Sequence, residues 1–124
     1  MAHRLLVAAP GVPLQRIGAA ARRFATGFRA TQSGGAMSQE GLYTAQATEV
    51  LLDAIARSDG TRGSVSRALL ATRIRDGLVG PIRFDPDGDV RPSPFALVRL
   101  SRRATTVNNV DPDGSNIVEV LRPG

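Results

Sequence analysis

The sequence predicts an α/β fold in which three helices lie on a small sheet and a β-hairpin closes the C-terminal part. Three observations carry this expectation. The chain opens with a short apolar run, Leu5 to Pro10, that has the length of a strand and stops at Pro10-Gly11. Its middle steps apolar residues by three and four, the spacing of a helix face. After Gly80 the apolar residues alternate instead, on either side of an Asp-Pro-Asp-Gly turn.

Arg4 to Pro10 is apolar without alternation, which suits a strand buried on both faces of a parallel sheet, and such a strand needs partners on both sides. From Pro13 to Ala30, Leu14, Ile17, Ala21, Phe24 and Phe28 form one face and Arg16, Arg22, Arg23 and Arg29 the other, which predicts an amphipathic helix. Thr31 to Ser38 has no period and carries a glycine pair, so it reads as a loop, with Ser38 placed to cap the next helix. In that helix Tyr43, Ala47, Val50, Leu51, Ala54 and Ile55 are the expected buried stripe, and Asp53 stands four residues before Arg57, the spacing of a helical ion pair. Asp59-Gly60 is the expected end, with the glycine left-handed.

A third helix, capped by Thr61 or Ser64, is expected to turn Val65, Ala68 and Leu69 inward and to run out near Thr72. Gly80 to Phe84 and Phe95 to Leu100 are then expected to form a hairpin or loose ribbon about the turn Asp85 to Asp89. A second Asp-Pro-Asp-Gly, Asp111 to Gly114, precedes a final strand over Ile117 to Leu121, closed by Pro123. The predicted order is β-α-α-α-β-β-β.

Composition narrows the function classes. The chain has 124 residues, enough for one ordinary domain, and 42% of them are hydrophobic, enough to form a core. All 16 basic residues are arginine, against 11 acids, for a net charge of +5. A polyanion-binding role would need them clustered, whereas they are scattered singly or in pairs from Arg4 to Arg122, and only five aromatics are available to stack on bases. A solvated mixed surface is the expectation, and a small basic nucleic-acid-associated protein the alternative. Without cysteine there is no disulfide and no thiolate ligand or nucleophile. No apolar run reaches the length of about 20 residues that spans a bilayer, and no secretory signal is visible in this chain.

Chemistry is sparse. The one histidine, His3, stands near the chain start, and there is no lysine to replace it as a base, so no catalytic residues are assigned and no enzyme is expected. Asp85, Asp87 and Asp89 alternate as calcium ligands do, but glycine falls at the fourth position rather than the sixth and Ala96 holds the twelfth, where a bidentate glutamate is required. The segment is therefore expected to be a turn, with Gly88 at positive φ, and no metal or cofactor is expected.

Three stretches, in order, resemble the branched-chain amino-acid-binding family, the Leu/Ile/Val-type receptors of bacterial ABC importers with the type I periplasmic-binding fold. They are Leu5-Leu-Val-Ala-Ala-Pro10 with the helix that ends Arg23-Phe-Ala-Thr-Gly-Phe28; the run from Tyr43 through Glu49-Val-Leu-Leu-Asp-Ala-Ile55 to Gly60; and Gly77-Leu-Val-Gly-Pro-Ile-Arg-Phe-Asp-Pro-Asp-Gly-Asp89 entering the strand Phe95 to Leu100. The resemblance implies a partial second lobe over residues 1–101, followed by a C-terminal extension over 102–124. It implies capture of an amino acid or similar small polar solute, delivery to an ABC transporter permease, and a periplasmic or extracytoplasmic location; the alternative is the ligand-sensing domain of a larger bacterial regulator. Tyr43 is the one ligand-binding candidate, because the resemblance places the start of its helix at the cleft between lobes, where an aromatic packs a ligand's apolar part. The same tyrosine also fits the core stripe of its helix.

Overall fold

The computed structural model describes residues 5–33, 35–100 and 110–123. His3, Arg4 and the expected boundary at 101/102 lie outside the described residues. The order is β1 (Leu6–Pro10), a 3-10 turn (Leu14–Arg16), α1 (Ala19–Thr31), α2 (Gln39–Ala56), α3 (Arg62–Leu70), β2 (Arg73–Gly77), β3 (Gly80–Phe84), β4 (Val90–Arg91), β5 (Phe95–Arg99) and β6 (Ile117–Leu121). The strands form two antiparallel three-stranded sheets, β1-β5-β6 and β2-β3-β4. The chain forms two compact units, one of residues 1–17 with 93–124 and one of residues 18–92.

In the first unit β5 is central. It pairs with β1 in the register Leu6↔Arg99 to Pro10↔Phe95 and with β6 from Phe95↔Leu121 to Val98↔Ile117, with an irregularity at Val118. Ala96 and Val98 of β5 are fully buried and pack with Ala9, Val110 and Ile117, because alternate residues of a strand share one face. The second Asp-Pro-Asp-Gly turn sets up β6 as the sequence predicts: the Gly114 N–H donates to the Asp111 carbonyl at 2.8 Å, and β6 begins three residues on.

In the second unit α2 packs on α3, and α3 on β3. Ser38 caps α2 by accepting from the Gly41 N–H at 3.0 Å, and Thr61 caps α3 by accepting from the Ser64 N–H at 3.3 Å. Arg57 closes the last turn of α2, donating to Asp53 at 2.9 Å and to the buried Thr72 hydroxyl at 2.9 Å, so the expected ion pair also fastens the segment that enters β2. The turn between β3 and β4 is built by Asp85, whose Oδ1 accepts from the N–H groups of Asp87 at 3.1 Å and Asp89 at 2.9 Å, while Gly88 takes φ +90°. Arg91 donates to the other oxygen at 3.0 Å.

Several expectations are corrected. β1 is an antiparallel edge strand instead of a doubly covered parallel one: Ala9 is buried, but Leu6 is 48% exposed. A run of five small and branched apolar residues fits either environment, and only its pairing decides. Gly80–Phe84 and Phe95–Leu100 do not pair with each other; β3 turns back on β4, and β5 belongs to the other sheet. Arg73–Gly77 forms a strand without an apolar signal in the sequence, because Arg73, Arg75 and Asp76 leave Ile74 as the only large apolar residue of a mostly exposed ribbon. The helix expected from Pro13 to Ala30 is divided by Gly18, and its first turn is 3-10. Gly60 does have positive φ, but α2 has already closed at Arg57. In α2 the buried residues are Leu42, Gln46, Val50 and Ala54, while Leu51 and Ile55 of the expected stripe are each 44% exposed.

Hydrogen bonds from the Asp89 backbone N–H, and then the Arg91 guanidinium, hold the Asp85 carboxyl below the usual carboxylate range. A folded-state value below the unfolded one contributes stability above the unfolded value, and that stability is lost as pH falls through the folded value. Asp85→Asn is therefore expected to melt below the parent at pH 7, with the gap closing as pH falls below the ordinary carboxylate range. A gap that stays constant from pH 7 to pH 3 in paired thermal melts would show that the charge contributes nothing.

Candidate functional site

Tyr43 lies in the second turn of α2, on a helix whose start is fixed by Ser38 and carries Glu40 in its first turn, where a carboxylate complements the exposed N–H groups. The ring is half-buried, neither sealed in the core nor fully open. Beside it on the helix, Leu42 is fully buried and Gln46 is 3% exposed. Gln46 was not singled out in the sequence, yet it is the polar centre of this unit. Its Oε1 accepts from the Leu78 N–H in the β2–β3 turn, and its Nε2 donates to Glu49 at 3.3 Å. Gly77 makes that approach possible, since a Cβ there would overlap Gln46 Oε1. A glutamine flanked by Thr44, Ala45 and Ala47 gives no sequence signal of this role; only a turn 32 residues away supplies its partner.

The first unit carries an open hollow of about 350 Å³ along β6, lined by Arg16, Ile117, Val118, Glu119, Val120 and Arg122. Among the described residues β6 pairs with β5 alone. The 3-10 turn that carries Arg16 is fastened beside the start of the strand: Gln15 donates to the Asp111 carbonyl at 3.4 Å, and its stem sits where a Cβ on Gly114 would stand, 2.8 Å away. Arg16 and Arg122, the residue that follows β6, both line the hollow.

Also in this unit, Asp111 is buried, its N–H donates to Asn116 Oδ1 at 2.7 Å, and Asn116 Nδ2 donates to the Arg99 carbonyl at 2.9 Å. Ser115 donates to Asp111 Oδ2 at 3.3 Å, while Oδ1 accepts no hydrogen bond. Among the described residues no three acidic or histidine side chains gather as a metal site would require, and no helix is long and apolar enough to cross a membrane.

No protein-family model matches this sequence, and no curated protein matches it. Solved structures do. The chain has part of the type I periplasmic-binding fold, an α/β arrangement of three helices and two small antiparallel sheets. One match is to the crystal structure of the leucine binding protein LivK from Thermotoga maritima, with a TM-score of 0.68 and 22% identity, over 96% of this chain. The chain spans 31% of the length of that protein.

Proposed function

We propose that this chain is part of a solute-binding protein that captures an amino acid or a similar small polar solute outside the cytoplasm and presents it to an ABC transporter permease, without catalysing a reaction on it. The observation that carries this reading is the agreement of nearly the whole chain with a leucine binding protein in backbone arrangement, joined to the three family-like sequence stretches. In this reading Tyr43 packs the apolar part of the ligand, and the groups that hold an ammonium and a carboxylate come largely from the two-thirds of such a protein to which this chain does not correspond. A single partial lobe leaves a ligand open to water, whereas small-molecule sites bury about 70–90% of it.

Two titrations check the proposal. The chain alone is expected to show no leucine, isoleucine or valine binding tighter than about 100 μM by calorimetry, equivalent to roughly 5.5 kcal/mol. A chimera in which this chain replaces the corresponding segment of the Thermotoga leucine binding protein is expected to fold cooperatively and to bind an amino acid, with Tyr43→Ala weakening binding at least fivefold while the chimera stays folded. A folded chimera that binds no amino acid would sink the transport reading, and one in which Tyr43→Ala lowers only the melting temperature would return Tyr43 to the core.

A further inference from the structure

We propose that Gln46 is the positioning residue that keeps the Tyr43 ring turned out of the core and toward a ligand, a role that rests on the reading of Tyr43 as a ligand contact. Two neighbouring rows of α2, each with residues four apart, compete to face inward. Tyr43, Ala47, Leu51 and Ile55 form a row without a polar side-chain amide or charge, the one that apolar burial alone would turn inward. The structure instead buries the row Leu42, Gln46, Val50 and Ala54. The two rows are one residue out of step, about 100° around the helix.

Gln46 decides between them. Burying an amide is unfavourable unless it is hydrogen-bonded, and Gln46 is bonded through both of its polar atoms: Oε1 accepts from the Leu78 N–H, and Nε2 donates to Glu49 Oε2 at 3.3 Å. Gly77 leaves room for the amide, since a Cβ there would overlap Oε1. Apolar contacts are non-directional and tolerate rotation of a helix about its axis, whereas the bond to Leu78 holds only while Gln46 faces the β2–β3 turn. Turning α2 by one residue, so that the row of Tyr43 faces inward, would break that bond and carry the ring into the core. With the bond in place the ring is half-buried. The same hydrogen bond that satisfies Gln46 thus withholds Tyr43 from the core stripe to which its spacing assigns it.

The chain holds one tyrosine and no tryptophan, so its intrinsic emission reports on Tyr43 alone. Gln46→Asn keeps an amide but shortens it by one methylene, so that it no longer reaches the Leu78 N–H and is driven toward water. In the full chain, acrylamide quenching of Tyr43 is expected to fall about twofold or more in Gln46→Asn, while the Leu78 amide loses hydrogen-exchange protection. The sign separates positioning from mere destabilisation, which exposes the ring and raises quenching. Val50→Ala takes an apolar contact from the buried row but leaves the Gln46 bonds, so its quenching is expected to stay within about 20% of the parent. Circular dichroism verifies that each variant is folded. Gly77→Ala, which displaces the Gln46 amide without altering α2, is expected to repeat the fall should Gln46→Asn not fold. In the chimera with the Thermotoga protein, Gln46→Asn is expected to weaken amino-acid binding about fivefold, with Tyr43→Ala adding little to it, because both remove the same contact. Unchanged or raised quenching in the folded variant, or additive losses of affinity in the chimera, would overturn the proposal. A chimera in which Tyr43→Ala alone leaves binding intact sinks the reading of Tyr43 as a ligand contact, whereas the sign of the quenching judges Gln46 by itself.

Discussion

Gly77→Ala is expected to destabilise the chain by about 3 kcal/mol, the sum of an overpacked contact worth about 1–3 kcal/mol and a weakened buried hydrogen bond worth about 1–3 kcal/mol. Gly77 ends β2 and faces Gly80 across the β2–β3 turn. It is not at positive φ, so backbone conformation alone would make alanine favourable by about 0.4–1 kcal/mol through the unfolded chain. The expected loss has the opposite sign because the added Cβ would overlap Gln46 Oε1 and stand 2.7 Å from the Gly80 carbonyl oxygen, which is backbone and does not swing aside. The overlap with Gln46 would push away the side chain that receives the Leu78 N–H. A double-mutant cycle isolates this cause. In a Gln46→Ala background the glutamine is already gone, so Gly77→Ala should cost at least about 1 kcal/mol less than in the parent. Additive costs in urea denaturation would mean that Gly77 and Gln46 do not interact.

Much of the fold is legible in the sequence because local rules govern it. Ser38 and Thr61 announce their helices as hydroxyl caps, Asp53 and Arg57 meet at the helical spacing, and Asp85 with Gly88, like Asp111 with Gly114, writes a turn in residue types that favour one. What is not legible is pairing. Whether Leu6–Pro10 is central or an edge, parallel or antiparallel, depends on Phe95–Arg99, some 90 residues away, and the apolar run looks the same in either place. The β3 strand likewise chooses β2 and β4 over the more apolar β5, since short turns bring them adjacent before any distant strand arrives.

The candidate site was legible only in part. Tyr43 stands out as an aromatic at a helix start, but its half-buried position follows from a helix phase that the sequence sets wrongly by about one residue. That error has a physical source. Gln46 is polar and therefore does not count toward an apolar stripe, yet it is buried because the β2–β3 turn satisfies it. The hollow along β6 is invisible in the sequence, since Arg16 and Arg122 are 106 positions apart and become neighbours of one strand only through the sheet β1-β5-β6 and the packing of Gln15 on Gly114.

The phase of α2 yields the second large effect. Leu42 is fully buried, and truncation to alanine there is expected to cost about 2–5 kcal/mol, through lost transfer energy and the cavity left behind. Against a total stability of about 5–15 kcal/mol, such a loss takes a large part of the folding free energy. Leu51 is nine residues further on, which at roughly 100° per residue puts it on the opposite side of the helix. It is 44% exposed, so Leu51→Ala is expected to cost about 1 kcal/mol or less. The stripe predicted from apolar spacing includes Leu51 and omits Leu42, so it orders the two costs the other way. Chemical denaturation of both variants, with unchanged dependence on urea, separates the alternatives: a larger loss at Leu51 than at Leu42 would mean that α2 presents the other face to its core.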